Sequence, residues 1–308
     1  VGSSLAVYHF LKKMGHSPSL VFPTPYAEFL NWYPGVKNAH VLKKDDPYVE
    51  KLVQESDLIV AVDFNQLKRN GKLGDYLDSS DKPKLLIDHH PDRMGKFDYE
   101  FYDINYAAAG EGVFDLIDTL EPKFLKDRDI ATCIYGALIS DTASFRHQSV
   151  SAKTLRIASK LLEAGIEHNV IQQKVFDNFT ENRLRLWGFC LHEKMKLLKE
   201  HGVALIALSR AELHRFKAGK GATEGLVNFP LGIEGIDMSA LISEREDIIK
   251  LSFRSKNHFP VNEFARRYFD GGGHFHAAGG EKDDTLENTV NAFLGHLEEF
   301  TNEGKAAN

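Results

Sequence analysis

The chain has 308 residues, enough for two domains and a sizeable core, and its 43% apolar and 27% charged residues are those of an ordinary soluble globular protein. A net charge of -6 argues against an extended nonspecific grip on duplex nucleic acid, though a local basic pocket for a short anionic substrate stays open. The two cysteines, Cys133 and Cys190, suggest neither a disulfide framework nor a thiolate metal site; with no apolar run near the roughly 18 residues of a bilayer span and no secretory signal pattern, a cytoplasmic protein without membrane contact is expected.

The chain opens on Val1-Gly2-Ser3-Ser4, without a methionine and directly at a helix start, so an upstream segment is expected. Ser3 or Ser4 is placed as the cap of a helix whose apolar stripe is Val7, Phe10, Leu11 and Met14, with Gly15 as its stop. Residues 20–22 and 38–42 read as short strands, 48–55 as a short helix, and 57–62 as a buried strand ending on Asp63. Leu85-Leu86-Ile87 then gives way abruptly to Asp88-His89-His90 and Pro91. That is the pattern of a buried parallel strand delivering polar groups to the open edge of a sheet. Strands alternating with helices predict an α/β fold with a doubly wound, mostly parallel sheet, and a ligand cleft outside the carboxyl ends of its strands.

Helices are predicted over 107–120 and 126–138, the second leading to a polar break at Ser140-Asp141-Thr142, and again over 151–164 and 170–176. A long amphipathic helix over 181–199 reads as a connector between two domains. Beyond it lie strands at 203–208, 239–244 and 248–254, helices at 261–268 and 286–300, and a frayed tail over 302–308.

Three groups of residues carry chemistry. Asp63, His89 and Asp141 combine carboxylate and imidazole ligands suited to Mn²⁺, Mg²⁺ or Zn²⁺. Any one Asp alone reads more simply as an element end satisfied by backbone amides; it is the set, each member where an apolar element stops, that favours a metal. The glycine run Gly271-Gly272-Gly273-His274 leaves backbone amides able to approach a phosphate, reinforced by an expected following helix start, with His274 as a donor. His276 reads as a packing or solvent-facing residue, and Ala277-Ala278-Gly279 as a sign of close backbone packing. In Phe253-Arg254-Ser255-Lys256, Arg254 is placed to fork onto a phosphate and Phe253 either to stack on a base or to point inward. Arg146 is a similar cation just beyond Asp141.

These motifs together, in this order, resemble the DHH–DHHA1 phosphoesterases of the RecJ-like superfamily, and most closely the nanoRNase/pAp-phosphatase branch. The matching stretches are Val1-Gly2-Ser3-Ser4, Val62-Asp63, Asp88-His89-His90, Ser140-Asp141-Thr142, Glu224-Gly225-Leu226-Val227-Asn228, Phe253-Arg254-Ser255-Lys256 and Gly271-Gly272-Gly273-His274. The resemblance implies a DHH phosphoesterase domain over 1–178, a helical connector over 179–200 and a smaller α/β DHHA1 substrate-binding domain over 201–308. It implies a two-metal Mn²⁺ site (Mg²⁺ or another divalent ion being the alternative) with Asp63 as bridge and His89 and Asp141 completing one shell. Asp88 would orient a neighbouring imidazole, and His90 would face the scissile phosphate or the attacking water. Arg254, Gly272, Gly273 and His274, with Arg146, would hold the substrate.

The implied substrates are short single-stranded RNA or dinucleotides, and pAp; a homodimer is a further expectation. The family's first motif places a His and two Asp ligands just before Val-Gly-Ser-Ser. None is in this chain, so an upstream segment carrying them is expected, and the metal shell here is expected to be incomplete. Ala107-Ala108-Ala109-Gly110-Glu111 also departs from the Ser-Ser-Thr pattern of many relatives, which leaves that helix start's contacts open. The alternatives are a cyclic- or linear-dinucleotide phosphodiesterase, and a non-catalytic binder of nucleotide ends.

Overall fold

Aliphatic residues build the two strands of the first sheet that lead to the candidate site, and polar residues mark where those strands stop. The structure is a computed structural model that describes residues 1–43, 46–64, 72–91, 96–219 and 221–306, in two compact units, Val1–Asn178 and Phe179–Asn308. In chain order the first unit contains α1 (Gly2–Lys13), β1 (Val21–Phe22), β2 (His40–Val41), α2 (Pro47–Glu55), β3 (Ile59–Val62), α3 (Lys72–Asp78), β4 (Lys84–Asp88), β5 (Tyr99–Tyr102), α4 (Ala109–Leu120), α5 (Arg128–Asp141), α6 (Ala152–Glu163) and α7 (His168–Phe176). Strands β3, β4 and β5 pair in parallel, and so do β1 and β2.

Side chains alternate across the sheet and meet helices on both sides. Val60, Val62, Leu85 and Ile87 pack into the main core with α1, α4, α5 and α6, whereas Ile59 joins Val49, Leu73 and Leu77 under α2 and α3. This is the doubly wound α/β arrangement expected from the alternation of elements. Helix α5 is the central post of the main core, with nine of its residues buried from Ile130 to Ile139. It starts at Asp127, whose side chain accepts from the amides of Asp129 and Ile130. Two glycines let its neighbours approach: a Cβ on Gly2 would fall 2.7 Å from the Cys133 carbonyl oxygen, and one on Gly136 would fall 2.3 Å from the Tyr33 hydroxyl.

The second unit contains α8 (Glu181–Phe189), β6 (Met195–Leu198), β7 (Val203–Leu208), α9 (Arg210–Arg215), β8 (Met238–Glu244), β9 (Ile249–Ser255), α10 (Val261–Tyr268), β10 (Gly272–His274), β11 (Ala277–Lys282) and α11 (Leu286–Ala306). Its sheet runs β10-β11-β9-β8-β7-β6, antiparallel throughout except between β7 and β8. One face buries Phe253 among Phe264, Phe269 and Phe293 beneath α10 and α11; the other packs Ile206, Leu208 and Leu241 against Leu186 and Trp187 of α8.

Several elements depart from their expected form. Ser3 and Ser4 lie inside α1, which begins after Val1 without a side-chain cap, because Ser3 is taken into the core. The helix expected over 181–199 ends in a wide π-type turn at Cys190–Lys194 and then becomes β6, whose pairing with β7 outweighs the helical pattern of its side chains. Helix α5 continues through Ser140 and Asp141, so those residues form its last turn rather than a break. No helix follows the glycine run; β10 turns back into β11 instead. Strand β5 and helix α3 have no counterpart in the expected elements: β5 starts on two exposed residues at a sheet edge, and α3 is short. Helix α11 carries on through the expected tail as far as Ala306, and the last two residues lie outside the described ones. Among the described residues, no helix is long and apolar enough to cross a membrane.

Tyr33 is only 4% exposed and has little room to retreat. The variant Gly136→Ala is therefore expected to overpack the α5–Tyr33 contact and cost about 1–3 kcal/mol, read as a lower urea midpoint with an unchanged slope. An unchanged midpoint would show that the Tyr33 ring is free to move.

Candidate active site

Asp63 and Asp88 end the neighbouring parallel strands β3 and β4, so both carboxylates reach the same edge of the sheet. Asp63 takes a left-handed backbone, φ 59°, which Asp tolerates better than most residues. Its amide is held by the Ile87 carbonyl at 2.8 Å, which ties the turn after β3 to β4.

Asp88 is 1% exposed, and its carboxylate is the hub of the edge. Oδ1 accepts from the His89 amide at 2.6 Å, the His90 amide at 3.1 Å and His90 Nδ1 at 2.7 Å, while Oδ2 accepts from the Phe64 amide at 3.2 Å. Burial alone would push this carboxyl up, but the His90 ring and the two backbone amides outweigh it and hold the group below its usual range. Burial likewise works against charge on His90; Asp88 overrides it, helped by Asp63 and Asp141, and the imidazole is raised above its usual value.

The adjacent histidines are held differently. His90 gives its Nδ1 proton to a carboxylate, whereas His89 Nδ1 lies 3.0 Å from the main-chain carbonyl of Tyr106. A carbonyl only accepts, so His89 Nδ1 is the donor in this contact, and Nε2 on the other side of the ring lies 3.7 Å from Asp63 Oδ1. His90 Nδ1 is also 3.7 Å from that oxygen. One ligand atom from each of Asp63, Asp88, His89 and His90 lies within 4.8 Å of the others, a set that could hold a metal ion.

Asp141, in the last turn of α5, is not among those four, but the charges of Asp63 and His90 reach it. It has an open face by surface area, although protein crowds its carboxyl. That crowding and the Asp63 carboxylate both push the group upward, while His90 opposes them. Two acids that repel each other in this way fit a bound cation, which would remove the repulsion. Beyond Asp141, three consecutive residues, Ala143, Ser144 and Phe145, have φ of 48°, 59° and 63°, a left-handed turn that costs about 1–2 kcal/mol per residue. Thr142 pins it by accepting from the Phe145 amide at 2.9 Å, and Ser144 is held by Gln172 of α7. Arg146 is exposed at the end of this turn.

The remaining expected residues lie in the second unit. Ala277 of β11 pairs on one side with Arg254 of β9 and on the other with His274 of β10. Directly opposed residues share a sheet face, so Arg254 and His274 flank a bare position, about 10 Å apart across two strand spacings. Gly272 and Gly279 are paired nearby, and the small residues are needed: a Cβ on Gly273 would fall 2.3 Å from the Ala277 carbonyl oxygen. The glycines therefore make a flat, narrow hairpin instead of a loop before a helix. Arg254 is half-buried, and burial lowers its pKa without threatening its charge; Nη1 donates to its neighbour's carbonyl at 2.9 Å. Phe253 lies in the core, which excludes it as a stacking platform. His276 is held by Ser255, whose hydroxyl donates to Phe259 and can accept from Nδ1 at 3.1 Å, as its packing reading implied.

Sequence reasoning missed Tyr106, whose contribution is a main-chain carbonyl, and the left-handed turn. At the helix start over 107–111, the buried Glu111 carboxylate accepts from Thr154 Oγ1 at 2.6 Å and from the Ala107 amide at 3.4 Å.

Residues 202–303 match the DHHA1 domain family. A crystal structure of an exopolyphosphatase-related protein from Bacteroides fragilis is similar over 97% of this chain and 88% of that one, with 35% identity and a TM-score of 0.92. The probable bifunctional oligoribonuclease and PAP phosphatase NrnA of Streptococcus mutans is 28% identical over 205 residues, which are 66% of this chain and 64% of that protein, so the match spans somewhat less than two thirds of the relative's length. RecJ from Thermus thermophilus, solved in complex with Mn²⁺, shares the fold at 13% identity and a TM-score of 0.53, over 98% of this chain and 50% of that one.

The Asp88–His90 pair has a definite pH signature. Asp88, lowered on folding, adds stability that is present above the ordinary carboxylate value and is lost as pH falls through its lowered value; His90, raised on folding, adds stability that is full below its ordinary value and is lost as pH rises through its raised one. In metal-free protein, Asp88→Asn is expected to cost about 1.5–3 kcal/mol between those limits, and less on either side. Thermal melts across pH check this, and a cost independent of pH would sink it.

Proposed function

This chain belongs to the DHH–DHHA1 phosphoesterase family, and on that premise we propose that it is a metal-dependent phosphoesterase that releases nucleoside 5′-monophosphates from short oligoribonucleotides and dephosphorylates pAp. The observation that carries the reading is the gathering of Asp63, Asp88, His89 and His90 at the carboxyl edge of a parallel sheet. Support for the substrate class comes from the name of the Streptococcus mutans relative and from the Arg254–His274 trough, whose donors suit a phosphate. The net charge of -6 favours short substrates over long duplexes.

In this reading Asp63, His89 and Asp141 are metal ligands, and Mn²⁺ is the metal, as in the Thermus thermophilus RecJ complex. A bound divalent pair would supply an activated water and neutralise the phosphate. The chain's own residues do the rest. Asp63 and Asp141 concentrate negative charge for the cation. His89 presents Nε2, with Tyr106 holding its proton on the other side of the ring. Asp88 keeps the His90 imidazole oriented and favours its protonated form, which lets it donate toward a phosphate oxygen or a leaving group. In the second unit Arg254, His274 and the backbone of Gly272 and Gly273 offer donors to the substrate, and in the first unit Arg146 offers a cation, so that binding energy positions the ester.

A second reading, hydrolysis of polyphosphate, is favoured by the description of the Bacteroides fragilis relative. The discriminating assay supplies the full-length protein with Mn²⁺ and, in parallel, linear dinucleotides, longer RNA, pAp, a cyclic dinucleotide and polyphosphate. Release of mononucleotide from linear dinucleotides and of phosphate from pAp is expected. His89→Ala and Asp63→Ala should lower the rate at least about 100-fold, since loss of a mere outer partner already costs 10–100-fold. Release from polyphosphate alone would overturn the substrate assignment, and activity indifferent to both variants would overturn the site.

Arg254→Ala tests the trough separately. If it grips the phosphate equally in ground and transition states, KM should rise with kcat little changed. A pure fall in kcat would instead place Arg254 on the reacting centre.

A further inference from the structure

A histidine ligates through one ring nitrogen, and the hydrogen bond made by the other decides which. At His89 that decision rests on the Tyr106 carbonyl, 3.0 Å from Nδ1. The carbonyl sits in the connection between β5 and α4, which is tied along its length. The Asp103 amide donates to the Asp88 carbonyl at 3.4 Å, the Tyr106 amide to the Asp103 carbonyl at 3.1 Å, and the Ala107 amide to Glu111 Oε1 at 3.4 Å.

The shortest tie is on the Tyr106 side chain. Its hydroxyl donates to Asp115 Oδ2 at 2.6 Å; Lys153 Nζ reaches the same oxygen at 2.6 Å and lies 4.6 Å from the Tyr106 ring centroid. Asp115 belongs to α4 and Lys153 to α6, so two helices grip one ring. Helix α4 comes this close because residue 112 is glycine: a Cβ there would fall 2.9 Å from Ile87 Cγ2 and 3.2 Å from Tyr106 Cε2.

We propose that Tyr106, clamped by Asp115 and Lys153, is a positioning residue that keeps His89 protonated at Nδ1 and so turns Nε2 toward the metal. The proposal rests on the reading of His89 as a metal ligand. The clamp itself lies outside the ligand set and touches the centre only through a main-chain oxygen.

Nitrogen NMR of the histidine rings in the metal-free full-length protein, above the ordinary imidazole pKa of about 6.5, reads the tautomer directly. The wild type and Asp115→Asn, which keeps an acceptor oxygen for the phenol, are expected to hold His89 at Nδ1–H. Tyr106→Phe and Asp115→Ala are expected to give a mixture of tautomers and to bind Mn²⁺, titrated alone, about 10–100-fold more weakly. Tyr106→Phe removes one oxygen and keeps the ring, so it remains informative if Asp115→Ala does not fold. A wild-type ring protonated at Nε2, or a tautomer unmoved in the folded variants, overturns the proposal. So does an altered tautomer with unaltered Mn²⁺ affinity. A wild type that binds no Mn²⁺ overturns the metal reading instead, and the tautomer alone then decides whether the clamp acts.

Discussion

One buried carboxylate organises the candidate active site. Asp88 accepts three hydrogen bonds from the two residues that follow it and a fourth from Phe64, the residue after the turn of β3. A charge this deep is tolerated only because these donors surround it. The consequence is mutual: the donors keep Asp88 ionised, and Asp88 fixes the backbone beyond two adjacent strands. His89, His90 and Asp63 take their places from that arrangement. The carboxylate that looks like a ligand by proximity is thus better understood as the frame on which its neighbours are mounted.

The two imidazoles then diverge because their partners differ in kind. His90 faces a carboxylate that favours its protonated form, while His89 faces a neutral carbonyl that sets only which nitrogen bears the proton. Consecutive residues of the same type are therefore set in different electrostatic surroundings side by side. The left-handed turn after Asp141 adds a third kind of control, strain held by side-chain hydrogen bonds from Thr142 and Gln172. Each device acts on a residue whose sequence position was plain but whose surroundings were not.

Much of this was legible in the chain. Apolar runs that stop on Asp63 and Asp88, alternating with helical stretches, announced parallel strands and their common edge. What eluded the sequence was of two kinds. Strand β6 is held by pairing with β7, a contact between segments that periodicity cannot weigh, so a helical pattern was overridden. The glycine run implied close backbone approach, and the structure has it, but glycine does not say whether the chain next forms a helix or a hairpin. Main-chain partners are the harder case. The Tyr106 oxygen acts on His89 without any side-chain signature, and only the three-dimensional path of the loop reveals it.

On the proposed reading of the Arg254–Ala277–His274 row as a phosphate grip, its geometry limits how selectivity could change. Its width is set by the hydrogen-bonded spacing of β9, β11 and β10, not by the side chains that use it. Point mutations can replace the groups at either rim or raise the floor at Ala277, yet they cannot move the rims apart. The unit therefore carries a gauge of constant span. A lineage that needed a wider grip would have to acquire it by inserting residues and shifting a strand register, a far rarer event than substitution.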